Sequence, residues 1–350
     1  MRQIRIQISS FFPAGPILAC LIFVLAASAN GSPTAGVRVE RRAYLMGTTC
    51  TIVIVAPDRS TGLAAAEAAF AEIARSEDRL STWRDDTVLA RLNRFPVGKP
   101  FSLDARMFDL FVRLRELRDS SGGGFDPASG RLLEAWDVRG AGRVPTRDER
   151  AAALAGGGMN LLRLDAAAST VTRLAPGVLL DAGAFGKGEA LARAAEELRD
   201  RGLSRFSIDF GGQVSVGSDT TGEGIAIADP RQRDRPVGRF RLNGLSAATS
   251  TQSERPGHIL DPRTGQRAAA FGSVTAVSPD PLVADAMSTA MFVLGPEAGL
   301  QLAEERPDLE ALFLMQTPAG LRARMTPGMR ELIVALDIPF LSTKNHKESR

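Results

Sequence analysis

The chain has 350 residues, 44% of them hydrophobic, with 43 Lys and Arg against 40 Asp and Glu for a formal charge of +3. That hydrophobic share supports a large buried core and excludes a disordered chain. The arginines are scattered among acids instead of forming a basic stripe with interleaved aromatics, which argues against a nucleic-acid partner.

At the N-terminus, Arg2 and Arg5 precede an apolar run from Pro16 to Ala27, followed by the small residues Ala27-Ser28-Ala29. Residues 1–29 are therefore expected to be a signal peptide cut before Asn30. The run is shorter than the roughly 20 residues a bilayer span needs. Cys20 ends a partial lipobox, Ile17-Leu18-Ala19-Cys20, which leaves a lipid-anchored inner-membrane form as the alternative. Export to the periplasm is the expectation, with membrane contact only through such an anchor or a membrane-bound partner. Cleavage removes two arginines and no acids, so the remaining chain is nearly neutral. It also leaves Cys50 as the sole cysteine, so no internal disulfide can hold the fold.

Residues 30–40 have linker composition, one domain is expected over 41–340, and 341–350 form a polar tail. The β-branched run from Thr49 to Val55 predicts a strand, and helical apolar spacing from Leu63 to Leu80 predicts a long helix. A second amphipathic helix is expected over Ser102–Arg118, ending at the glycines 122–124. Residues 140–177 offer short strands at Leu161–Leu164 and Thr170–Leu174 and no chemistry. Gly188–Arg201 predicts a helix closed by Gly202. Strands follow at Arg205–Asp209, Gly224–Ala228, Arg239–Leu242 and Val274–Val277, then helices over Leu282–Leu294 and Glu297–Glu305. Strands and helices mix without a βαβ repeat, so the fold class is α+β: a single mixed domain, with a two-lobed form open.

Three constellations can carry chemistry. The first, Asp181-Ala182-Gly183-Ala184-Phe185-Gly186-Lys187-Gly188, is a strand end turning into a helix, where backbone amides, the helix dipole and Lys187 suit a phosphate. The Walker spacing is absent, and a plain tight turn is the competing reading. Lys187 is one of only four lysines, with Lys99, Lys344 and Lys347, so arginine carries most of the positive charge elsewhere. The second is Asp285 and Thr289, four apart on one helix face, hard oxygen donors that suit magnesium. A threonine bonded back to its own helix is the alternative. The third is Gly257-His258-Ile259-Leu260-Asp261-Pro262-Arg263-Thr264-Gly265, where turn chemistry follows a histidine. The only other histidine, His346, lies in the tail, so His258 is the candidate for acid–base work, with a structural role equally open.

Taken in order, these segments resemble the FAD:protein FMN transferase (ApbE) family. The likeness runs from about Tyr44 to Leu302. It rests on Met46-Gly47-Thr48, Ser81-Thr82-Trp83, Thr87 to Asn93, and Gly123-Gly124-Phe125-Asp126-Pro127 continuing through Gly130 and Leu132 to Trp136. It continues through Asp181 to Gly188, Gly211-Gly212, His258 to Gly265, Ser273-Val274-Thr275 and Asp285 to Thr289. The chain departs from the family at Thr249-Ser250-Thr251-Gln252-Ser253-Glu254, where an aromatic usually follows Ser-Gly, and in having Trp83 for a tyrosine.

The resemblance implies that Trp83 lies against the isoalloxazine and that Met46, Gly124, Phe125, Asp126, Asp181, Lys187, His258 and Leu260 line the rest of an FAD site between lobes. It also implies Mg2+ held by Asp285, Thr289 and the backbone oxygen of Ala184. The implied reaction passes FMN from FAD to a Ser/Thr hydroxyl of an acceptor flavoprotein and releases AMP. His258 is expected to help deprotonate that hydroxyl or steady the pyrophosphate. Two rivals are an FAD pyrophosphatase giving FMN and AMP, and a non-catalytic periplasmic flavin-binding protein.

Overall fold

In the computed structural model, residues 36–218, 223–253 and 255–341 are described. The expected signal peptide, Cys20, most of the tail including His346, and Glu254 lie outside them. Among the described residues, an antiparallel sheet of eight strands runs Val37–Leu45, Thr48–Ala56, Phe206–Phe210, Gln213–Val216, Ser246–Thr251, Gly272–Ser278, Glu310–Thr317, Gly320–Met325 in spatial order. Alternation sets its faces. Along Thr48–Ala56, the side chains of Cys50, Ile52, Ile54 and Ala56 are buried under helices, while the intervening residues turn to the other side.

Three helices cover one face. Arg59–Leu80 packs on Gly186–Asp200, and the latter packs on Pro281–Leu294. The first buries Ala65, Ala66, Ala69, Phe70 and Ile73 against Ala190, Leu191, Ala194 and Leu198. Small alanines on both helices let the axes approach closely. Pro281–Leu294 is apolar almost all round because the sheet lies on one side of it and the layer formed by residues 80–180 on the other. On the opposite side of the sheet, Glu223–Asp229, Gln232–Leu242 and Ile333–Leu336 form a second sheet that closes over its C-terminal half.

The fold is thus α+β, as the pattern implies, with boundaries that shift for local reasons. The first helix begins at Arg59, four residues early, because the Asp58 carboxylate caps it by accepting the Thr61 amide at 2.8 Å. The next long helix starts at Ala105 instead of Ser102, since Asp104 caps it and Pro100–Ser102 form a short strand. The strand beginning at Val37 takes residues 37–40, read as linker, into the sheet. Gly202 has φ +75° and ends the Gly186–Asp200 helix as the sequence suggests. Cys50 is fully buried, and burial pushes its thiol up to about 12, leaving it an inert core group. No helix of the described residues is long and apolar enough to cross a membrane.

Candidate active site

The segment 181–188 is the hub of the site, because nearly every residue in it touches a different one of the sequence's candidate segments. The Asp181 amide donates to the Pro127 carbonyl at 2.9 Å. Asn93 zips the residue before it in place, its amide nitrogen donating to Leu180 O at 2.9 Å and its oxygen accepting from Leu180 N at 2.8 Å. Phe185 meets Phe125 edge to face at 6.4 Å. Gly186 lies under the Met46 methyl, 3.4 Å from where a Cβ would stand. Lys187 and Gly188, in the first turn of the next helix, face His258 and Asp285.

The Gly-x-x-x-Lys-Gly run therefore works differently from a turn that precedes a helix. The helix begins at Gly186, so Gly186, Lys187 and Gly188 form its first turn. A Cβ at Gly188 would stand 2.6 Å from Asp285 Cβ, 2.6 Å from Pro281 O and 2.9 Å from Leu282 Cα. Glycine is required here for two helices to touch. The contact lets the Gly188 amide donate to Asp285 Oδ2 at 2.8 Å, so a carboxylate from one helix caps the N-terminus of another.

Asp285 lies in an apolar helix, and burial pushes its carboxyl above the usual range, opposed by the Lys187 ammonium and the Gly188 amide. Among the described residues its Oδ1 has no hydrogen-bond partner. One turn on, the Thr289 hydroxyl lies 3.4 Å from Ser250 Oγ, which itself bonds Ser288 Oγ at 2.8 Å. The Gly188 amide, committed to Asp285, makes no helical bond back to Ala184 O. An unmatched carboxylate oxygen, a hydroxyl and a released carbonyl are all hard oxygen donors, a chemistry that fits a divalent cation. No cluster of three His, Cys, Asp or Glu side chains able to hold a metal occurs among the described residues, so only a set with backbone and hydroxyl oxygens fits here.

His258 Nδ1 lies 2.5 Å from the Arg255 carbonyl. A carbonyl only accepts, so Nδ1 carries the proton and Nε2 keeps its lone pair. Burial, then the nearby Arg255 and Lys187 charges, hold the imidazole below its ordinary value, outweighing the Arg255 bond. The histidine loop is pinned to the segment after Asp126. Trp136 Nε1 donates to Gly265 O at 2.9 Å, and Arg255 Nη2 donates to Val138 O at 2.8 Å. The Asp-Pro-x-Thr-Gly turn forms, with the Gly265 amide on Asp261 O at 2.8 Å. Arg255 and Lys187 bring positive charge to His258.

Several candidates support the site from within. Phe125 and Leu260 are core side chains. Gly124 packs against Ala290 and Leu294 of the Pro281–Leu294 helix. Burial raises the Asp126 carboxyl, which accepts from Ala128 N at 2.9 Å in its own loop and from the distant Met159 N at 3.1 Å. Met46 adopts φ +46°, in a turn held by its amide on Glu77 Oε2 at 3.1 Å. Trp83 stands 74% exposed at the rim. Nothing in the sequence pattern pointed to Arg139, which pairs with Asp181 and Thr82 and lies 4.8 Å over the Trp83 ring. Thr82, Arg139 and Asp181 border a cavity of about 410 Å³, also lined by Asn93, Glu134 and Asp137.

The architecture is that of the flavin transferases. It superposes on the flavinyl transferase ApbE of Pseudomonas stutzeri, solved in its apo form, with a TM-score of 0.75 and 27% identity over 86% of this chain and 98% of that one. Among curated proteins, an FAD:protein FMN transferase of Klebsiella pneumoniae is 27% identical, covering 93% of this chain and 98% of its own length. One of Treponema pallidum is 29% identical, with 93% and 97% covered. The ApbE family model matches residues 46–313. The chain belongs to the ApbE family, and it is an enzyme.

Proposed function

We propose that this chain is a magnesium-dependent FAD:protein FMN transferase that moves FMN from FAD to a Ser/Thr hydroxyl of an exported or membrane-bound acceptor protein and releases AMP. The observation that carries this reading is the convergence of Lys187, His258 and Asp285 at the start of one helix. A dinucleotide's paired phosphates meet positive charge there from Lys187, Arg255 and the helix amides. Asp285, Thr289 and the Ala184 carbonyl would hold the cation, which when bound neutralises phosphate charge as the bond to the leaving phosphate breaks. His258, neutral and protonated at Nδ1, offers Nε2 to take the proton of the attacking hydroxyl. Trp83 supplies an aromatic face for the isoalloxazine.

Export to the periplasm is part of the proposal and rests on residues 1–29 of the sequence. The test is incubation of the purified chain with FAD, magnesium and a candidate acceptor, followed by intact-mass analysis. An adduct of FMN on the acceptor, lost with EDTA, supports the reading. Free FMN and AMP without an adduct would make the chain a pyrophosphatase, and tight FAD retention without turnover would make it a carrier.

A further inference from the structure

We infer that Arg139 is a positioning residue for the flavin, holding the Trp83 ring and the Asp181 carboxylate where the isoalloxazine meets them; this rests on the proposed stacking role of Trp83. Trp83 follows the end of the Arg59–Leu80 helix in irregular backbone and is 74% exposed. An aromatic side chain so exposed is free to rotate, and ordering it on ligand binding costs affinity. Arg139 supplies that order beforehand. Its guanidinium lies 4.8 Å from the Trp83 ring centroid, donates to Thr82 O at 3.5 Å and to Thr82 Oγ1, and pairs with Asp181 Oδ2.

A planar fork can stack on a ring and bind two oxygens at its edge at once, which a lysine ammonium cannot. Glu134 and Asp137 border the same cavity, yet Glu134 is paired with Arg131, and Arg139 is turned to Asp181. The second oxygen of Asp181 accepts the Gly183 amide at 2.8 Å, so the link continues into the 181–188 hub. With one face of Trp83 under the guanidinium and most of the ring still exposed, the opposite face is open to a flat tricyclic ligand. Arg139, the indole and the flavin would stack in that order.

The test uses the full chain and three readouts. In the ligand-free protein, Trp83 fluorescence should lose anisotropy and gain acrylamide quenching in Arg139→Ala, while the other tryptophan, Trp136, is 4% exposed and nearly silent to the quencher. FAD affinity, followed by flavin fluorescence, should weaken about tenfold, the combined scale of one cation–π contact and one partly exposed ion pair. KM for FAD should rise more than kcat falls. Arg139→Lys, which keeps the charge and loses the fork, should recover less than half of the anisotropy. In a Trp83→Ala background, Arg139→Ala should cost only the share that runs through Asp181, less than its tenfold loss in the wild type. Unchanged anisotropy and FAD affinity in Arg139→Ala, or a full additive loss on Trp83→Ala, overturns the assignment. Should the wild-type chain bind no FAD at all, the proposed function fails, and the ligand-free anisotropy still decides whether Arg139 fixes Trp83.

Discussion

Gly188→Ala is the most direct test of the helix junction that builds the site. In an ordinary helix, alanine in place of glycine stabilises by about 0.5–1 kcal/mol, because glycine loses more backbone entropy on folding. Here the added Cβ would stand 2.6 Å from Pro281 O and from Asp285 Cβ and 2.9 Å from Leu282 Cα, and two of those three atoms are backbone. They cannot give way by a side-chain rotation, so the helices must separate. Overpacking of this kind costs typically about 1–3 kcal/mol. The clash outweighs the propensity gain, for a net loss of about 1–2 kcal/mol and a fall of a few degrees in Tm. Separation also pulls the Gly188 amide from Asp285, so FMN transfer should fall far more than stability does. Thermal melts and the acceptor-mass assay read the two effects. A variant that melts at or above the wild-type temperature and transfers FMN at the wild-type rate refutes the junction as the organiser of the site.

Three further outcomes are expected. Asp285→Asn keeps an oxygen for the Gly188 amide but removes the charge; in EDTA its Tm should match or exceed the wild type, because burial already opposes that charge, whereas added magnesium should raise Tm only in the wild type. His258 has a depressed pKa, so its neutral form prevails above the ordinary value of 6.5 and its contribution to stability and rate is lost only as pH falls through the lower folded value; the acid limb of the rate profile should lie below pH 6.5 and disappear in His258→Ala. Trp136→Phe leaves the Gly265 carbonyl without its buried donor, which should lower stability by about 1–3 kcal/mol in a denaturant titration and loosen the histidine loop.

Much of this arrangement was legible in the sequence where chemistry and local pattern coincide. The β-branched run at Thr49–Val55 and the apolar periods ending at Leu80 and Leu294 each correspond to an element, and Gly202 ends its helix with the expected positive φ. The helix Arg147–Gly156 was missed in a stretch rich in Gly and Ala, although Thr146 and Glu149 form a capping box whose spacing is visible in the sequence. Gly186 reads as a turn former and Gly188 only as a helix start, because sequence cannot tell a glycine that bends or begins a segment from one that admits a neighbouring helix. Arg139 was unreadable for a deeper reason. Its role comes entirely from partners 57 and 42 residues away, and nothing beside it in the chain announces them.

The buried acids show why the site sits where it does. Burial raises the carboxyls of Asp126, Glu189, Asp209 and Asp285. An uncompensated buried charge costs several kcal/mol, a large part of a domain's net stability of about 5–15 kcal/mol, so a fold can hold few of them. Asp126 is compensated by the amides of Ala128 and Met159, and Glu189 by Arg193 at 2.9 Å. Asp285 has one amide and the field of Lys187, in a helix whose residues are mostly apolar. Its second oxygen has no hydrogen-bond partner among the described residues and belongs to the same helix as the Thr289 hydroxyl. A bound cation would offset that burial, so a sparsely compensated buried carboxylate and the proposed chemistry coincide at one residue.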